Sequence, residues 1–286
     1  MLKSAVTPDT ATITPNAVFA RSDIARIFEG DPLYGIPGPK KASRRFRFLS
    51  RKNRPADASA DADVMKSAAE CGAELARITK TVLSPEVDQL VSGLSLLGAL
   101  GGYACALVAA RAALSQSDDD PQPCDFAVMS HDTFGNRYTG AHVNAALYED
   151  PISFWSLIVG AATKLGHGRS SRLLDLAGLN RHTDATAQTA EFGLPRMPLG
   201  LFAPDLPVNF VRHLWPEFLP VLKRHSDGPD GWALAFGFAV QELIAASDEK
   251  VTPRDMAQIV MEFAFPMSRV GPDFLNQASA EAMASA

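Results

Sequence analysis

The sequence contains little cysteine. Only Cys71, Cys105 and Cys124 occur among 286 residues, and their spacing matches no metal site. Three cysteines cannot form a disulfide scaffold, and an odd, sparse count suits a reducing compartment, so we expect a cytoplasmic protein. The N-terminus has no positively charged start followed by an apolar stretch of about 7–15 residues, so no secretory signal is predicted.

Motifs for nucleotides, zinc and activated nucleophiles are also missing. The sequence has no P-loop, no G-x-G-x-x-G after a strand, no H-E-x-x-H, no C-x-x-C and no G-x-S-x-G. The 20 glycines and 20 prolines show no period, which excludes a collagen-like chain. We therefore predict no cofactor and no metal site, and the sequence leaves open whether the chain is an enzyme.

What the chain has is the composition of a globular protein, with 47% hydrophobic and 21% charged residues. Helix start signals recur, with proline in the first turn after a polar residue at Ser84-Pro85, Asp150-Pro151 and Thr252-Pro253. The fold class is predicted as mainly α. A single helical domain with a small β-hairpin near residues 125–139 covers residues 63–276, after a basic, partly disordered N-terminal arm and linker (1–62) and before a flexible tail (277–286).

Several helix boundaries follow from caps and periodicity. Asp63 is predicted to cap a helix that ends near Leu83, and residues 86–115 form a second helix. Pro207 opens a helix that ends near Arg224, which Pro216 should bend or interrupt. Thr252 caps a helix over residues 253–264.

Two stretches between these helices are less regular. Helical signals are weak at residues 171–177 and 184–190. Residues 192–207 contain four prolines and must be mostly extended or turning. Phe192 and Met197, with the prolines near them, read as an apolar strap across the core rather than a proline-rich ligand.

The 22 residues 89–110 carry no charge, so this segment is long enough to span a membrane. Its four glycines, two serines, Tyr103 and Gln89 oppose insertion, and a helix that is apolar all round also suits the centre of a helical domain. Because glycine disfavours helix, the glycines call for a compensating contact. We favour a buried central helix whose glycines admit a neighbouring helix, over a membrane span or the wall of an apolar ligand cavity.

Charge divides the chain unevenly. Residues 1–56 carry a net charge of +7 and residues 57–286 a net charge of −12. The positive charge concentrates in residues 40–54, interleaved with Phe46 and Phe48. This composition is typical of a segment that binds an anionic membrane surface or nucleic acid. A solvated arm, or an arm docked on its own acidic body, is the simpler explanation, and the negative charge of the body would repel polyanions. The candidate anion-binding residues are Lys40, Lys41, Arg44, Arg45, Arg47, Arg51, Lys52 and Arg54.

The densest polar cluster surrounds the predicted hairpin. A histidine beside an aspartate can act as an oriented base, but ordinary turn chemistry explains the same residues. The candidate ligand-binding residues are His131, Asp132, Asn136, Arg137, Tyr138, His142 and Asn144.

Three functional hypotheses follow. The first is a soluble binding or interaction module, with a protein partner or an apolar small molecule docked on an apolar face or groove. The second is an enzyme or small-molecule binder that uses the cluster around His131 and His142. The third is a peripheral membrane-associated protein that binds through the basic arm.

Overall fold

The structure, a computed structural model, describes residues 58–83, 88–115, 127–131, 135–165, 173–226, 228–247, 250–272 and 274–275. Within these ranges, the side chains of residues 58–61, 112–115, 127–131, 135–138 and 230 are not described. The basic segment of residues 40–54 lies outside the described residues.

Helices dominate the described residues, which confirms the mainly α class. They are α1 (Ala58–Val82), α2 (Gln89–Ser115), α3 (Ala141–Asn144), α4 (Phe154–Lys164), α5 (Leu176–Thr186), α6 (Pro207–His225), α7 (Trp232–Ala245) and α8 (Pro253–Met267). A π-helix over Ala145–Glu149 follows α3, and a 3₁₀ turn over Pro229–Gly231 precedes α7.

Two short strands precede α3. The backbone of β1 (Ala127–His131) pairs antiparallel with that of β2 (Gly135–Thr139), and His131 stands opposite Gly135. Their side chains, apart from that of Thr139, are not among those described. The hairpin as a unit of a functional site therefore stays a prediction.

Helix α2 forms the centre of the domain. Each residue from Val91 to Ala110 is buried, and α2 packs against α6, α7 and α8. The stretch Gln89–Arg111 is long and apolar enough to cross a membrane. Its most apolar part is entirely buried inside the protein. This burial supports the interpretation of residues 89–110 as a core helix.

The glycines of α2 admit its neighbours, as the sequence predicted. A Cβ atom on Gly98 or Gly102 would lie within 3.0 Å of the carbonyl oxygen of Val260 or Ala264 in α8. A Cβ on Gly101 would strike the ring of Phe154 in α4. Because Gly98 and Gly102 are four residues apart, they line one face of α2 and bring the backbones of α2 and α8 together.

Aromatic side chains fill the space between α2, α6 and α7. The ring of Tyr103 meets that of Trp215 edge-on, with centroids 4.9 Å apart. Trp215 also lies 5.9 Å from Trp232 and 6.1 Å from Phe236, measured between centroids. Edge-on and tilted pairs at these separations are the favoured arrangements of aromatic rings.

One boundary prediction is wrong, and of the two alternatives predicted at Pro216, a bend or an interruption, the interruption does not occur. Helix α1 begins at Ala58, so Asp63 lies inside it and does not cap it. Helix α6 continues through Pro216 and Pro220, so the predicted interruption does not occur. Both prolines are exposed, and water can satisfy the carbonyl groups that lose a helical partner on that side.

Residues 192–206, which we call the strap, contain no helix or strand, as the prolines predicted. The backbone turns at Gly193 (φ 78°) and Gly200 (φ 82°), in the left-handed region that glycine tolerates. Phe192 is buried, and Met197, Leu201 and Ala203 pack against the core. The strap therefore lies across the domain with part of its apolar side chains inside.

The buried cysteines give a first testable prediction. Burial raises the pKa of the Cys71 thiol to about 12, and burial also raises the pKa of the Cys105 thiol. Because the thiolate is the reactive species, neither thiol should react with 5,5′-dithiobis(2-nitrobenzoic acid) at pH 8 in the native protein, and both should react in guanidinium chloride. Peptide mapping by mass spectrometry checks this, and rapid native modification of either peptide would contradict it.

Candidate functional site

The structure describes few side chains of the predicted clusters. The eight basic residues of segment 40–54 and Asp132 lie outside the described residues, and His131, Asn136, Arg137 and Tyr138 are described only by their backbone. His142 and Asn144, on α3, are half-buried. Of the seven candidates, Asn144 accepts a hydrogen bond from a buried charged side chain, and that side chain is the centre of the candidate site.

That contact is with Arg269, which follows the end of α8. The Arg269 side chain is 3% exposed, and its Nη2 donates to Oδ1 of Asn144 at 3.0 Å and to Oδ1 of Asn180. Its Nε lies 4.0 Å from Oδ1 of Asp184, and neither Nε nor Nη1 has a hydrogen-bond partner among the described residues. A buried guanidinium with unpaired donors is costly, so this position needs an explanation.

Three elements position the Arg269 cluster, which we define as Arg269, Asn144, Asn180 and Asp184, with Glu149 acting on the guanidinium through its charge. Asp175 begins α5 by accepting from the Gly178 N–H at 2.8 Å, and Asn180 and Asp184 lie one turn apart on that helix. Asn144 ends α3 where the π-helix begins. Single-turn π-helices occur often at functional sites.

Charge and burial shift several pKa values here. Burial lowers the pKa of Arg269, and Asp184 opposes that shift. Burial, helped by the charge of Glu149, raises the pKa of Tyr148 and that of Asp150. Titratable groups with perturbed pKa values around one buried cation are typical of binding sites, although structural networks perturb pKa values too.

A second buried charge, Glu262, lies on α8 itself, before Arg269 in the chain. The Glu262 carboxylate is 5% exposed and accepts from the backbone N–H and from Nε of Arg196, each at 3.1 Å. Gln258 Nε2 donates to the Arg196 carbonyl at 2.9 Å. These bonds fasten the strap to α8.

The outer side of the strap is apolar and exposed. Leu199 is 104% exposed and Phe202 is 84% exposed, and Leu194 and Leu206 are exposed beside them. We call these four residues the strap patch. Among the described residues, the other exposed large apolar side chains are Val82 and Leu165. Apolar exposure therefore concentrates on one short segment.

A cleft between α5, the strap and α8 opens beside the patch. Its cavity volume is about 10 Å³, and it is lined by His182, Thr183, Leu194, Glu262 and Phe265, among others. A cavity needs about 10–15 Å³ to hold one water molecule, so this cleft has room for about one water and not for an apolar ligand. Within the described part of the chain, no group of three or more His, Cys, Asp or Glu side chains could hold a metal ion.

Sequence reasoning missed both Arg269 and the strap patch. Glu262 and Arg269 are the charged residues in the run from 259 to 270, which is apolar apart from them and Ser268. A charge inside such a run is the signal that could have found them. The patch has no such signal, because inward Leu201 and outward Leu199 and Phe202 belong to one apolar segment.

Comparison with known protein families, with curated proteins and with solved structures finds no match to this chain.

Proposed function

We propose that this chain is a binding module that docks a partner protein on its strap patch. The observation that carries the proposal is the exposure of Leu199 and Phe202 on a domain whose other large apolar side chains are mostly buried. Clustered apolar side chains on a folded surface are characteristic of interaction sites, and aromatic residues are frequent anchors there.

The strap is pre-organised for such a contact. Its backbone is fastened at Arg196 to Glu262 and Gln258, and its prolines restrict the chain on both sides of Leu199. Side chains held in place before binding lose less conformational entropy when the partner arrives. The patch can therefore support affinity despite its small size.

Charge around the patch indicates the chemistry of the partner. The exposed charged residues at its ends, Glu191 and Asp205, are acidic, and Arg196 is paired with Glu262. A second copy of this chain would bring like charges together, and an anionic membrane would be repelled. The partner expected here is a protein with an apolar groove bordered by basic residues.

The test introduces a photo-crosslinking amino acid at Phe202, and in a control chain at Leu165, an exposed leucine at the end of α4. We expect one protein to be crosslinked from position 202 and not from position 165. With that protein purified, Leu199→Ser/Phe202→Ser should raise Kd by about 30-fold or more, since loss of an anchor costs about 2 kcal/mol or more. Leu165→Ser should leave Kd unchanged.

Equal Kd values for the parent and the Leu199→Ser/Phe202→Ser variant would overturn the proposal. Concentration-dependent self-association, measured by light scattering and lost in that variant, would instead make a second copy of the chain the occupant. Melting temperatures of all variants serve as the folding control, because exposed positions should change them little.

Other functional expectations stay predictions. An enzyme or small-molecule site around His131 and His142, and membrane or nucleic-acid binding through residues 40–54, rest on side chains that for the most part lie outside the described residues. We also propose a cytoplasmic location, which is supported by the free, buried state of Cys71 and Cys105.

A further inference from the structure

The unpaired donors of Arg269 are the least explained polar groups in the described structure. The side chain is 3% exposed, yet Nε and Nη1 have no hydrogen-bond acceptor. Nη2 is fixed by Asn144 and Asn180, so the guanidinium is held in one orientation. Leaving buried donors unsatisfied costs about 1–3 kcal/mol, and more for a charged group, so an acceptor supplied from outside would be strongly favoured.

The surroundings of Arg269 restrict what that acceptor can be. Asp184 lies 4.0 Å from Nε and is half-exposed, while Glu149, whose charge also acts on the guanidinium, ends the adjacent π-helix. The Asp184 carboxylate repels a simple anion placed beside Nε, and the guanidinium repels a simple cation placed beside Asp184. A ligand that carries one negative and one positive charge can pair with the Arg269 guanidinium and with the Asp184 carboxylate at the same time.

We propose that the Arg269 cluster binds a small zwitterion of the α-amino-acid type. Its carboxylate accepts from the unpaired donors of Arg269, and its ammonium group lies beside the Asp184 carboxylate. The short distance between Nε and Asp184 Oδ1 requires the two ligand charges to be close together, as they are on an α-amino acid. This site is separate from the strap patch, so either proposal can fail alone.

The experiment measures thermal shifts of the full chain with each of the twenty standard L-amino acids, and with acetate and methylammonium as half-ligands at the same concentrations. At least one amino acid should raise Tm in a saturable manner, since a ligand that binds only the folded state stabilises it. Acetate alone and methylammonium alone should not. Isothermal titration calorimetry then gives Kd for the amino acid that binds.

Variants separate binding from folding. Arg269→Gln should abolish the shift, and Asp184→Asn should raise Kd about tenfold or more, because a charged hydrogen bond to the ammonium group is lost. Asp184 is half-exposed, so its variant should fold even where Arg269→Gln does not. Arg181→Gln, which removes an exposed arginine of α5, is the matched control and should retain the parent Kd.

Three results would overturn the proposal. One is a parent protein whose Tm no amino acid raises. Another is an equal shift with acetate alone, which would make the cluster a simple anion site. The last is an unchanged Kd in Asp184→Asn, which would leave Arg269 a structural residue satisfied by water.

Discussion

Replacing Gly102 by alanine is expected to destabilise the protein by about 3 kcal/mol, the upper end of the cost of overpacking a core. The added methyl group would lie within 3.0 Å of the Ala264 carbonyl oxygen in α8. That oxygen already accepts the Ser268 N–H at 2.9 Å, so it cannot move away without weakening the helix. Urea denaturation monitored by circular dichroism gives the change in the free energy of unfolding.

The sign of this change separates packing from helix propensity. Alanine is favoured over glycine in a helix by about 1 kcal/mol, so propensity alone would make the variant more stable. Gly160→Ala is the matched control, because a Cβ on Gly160 would lie 3.5 Å from Nε2 of Gln241, an ordinary van der Waals distance. It should stabilise α4 by up to about 1 kcal/mol.

Gly98 extends the argument, since its Cβ would meet the Val260 carbonyl. The double variant Gly98→Ala/Gly102→Ala should lose about 6 kcal/mol, which approaches the whole stability of many domains, about 5–15 kcal/mol. We expect it to be largely unfolded at 37 °C. A Gly102→Ala variant as stable as the parent would show that α2 and α8 are not in backbone contact.

The glycines of α2 illustrate what the sequence can predict. An uncharged run with costly glycines indicates a helix that is enclosed and closely approached, and both features hold at Gly98 and Gly102. The Thr252-Pro253 signal likewise predicts the start of α8, where the Thr252 hydroxyl accepts from the Asp255 N–H at 3.1 Å. These features depend on local chemistry, which a sequence displays directly.

Features that depend on distant contacts were not predictable. Helix α5 overlaps the ends of both weak signals and covers the gap between them, because its start is set by Asp175 and its buried residues pack on α8. The partner of Asn144 is Arg269, 125 residues later, and no local pattern indicates that pairing. The orientation of Leu199 and Phe202 depends on the anchor at Arg196, which is set by Glu262 on another element.

The second large effect is expected from Arg196→Met. This change removes the cation from the buried Glu262 carboxylate, and breaking a buried pair in this way costs about 3–5 kcal/mol. Because Arg196 itself is about half-exposed, at 47%, the expected loss is nearer 2–3 kcal/mol. Arg181→Met is the control, since its pair with Asp175 is about three-quarters exposed on both sides and should contribute less than about 0.5 kcal/mol.

A compensating change identifies the cause of that loss. If the cost comes from an uncompensated carboxylate, Arg196→Met/Glu262→Met should recover most of it, leaving about 1 kcal/mol for the Arg196 N–H that loses its acceptor. Hydrogen exchange should also quicken in the strap in Arg196→Met, because the anchor that holds Leu199 and Phe202 outward is weakened. Equal destabilisation of the single and double variants would place the cost in the lost arginine stem, and would separate the stability of the strap from the charge of Glu262.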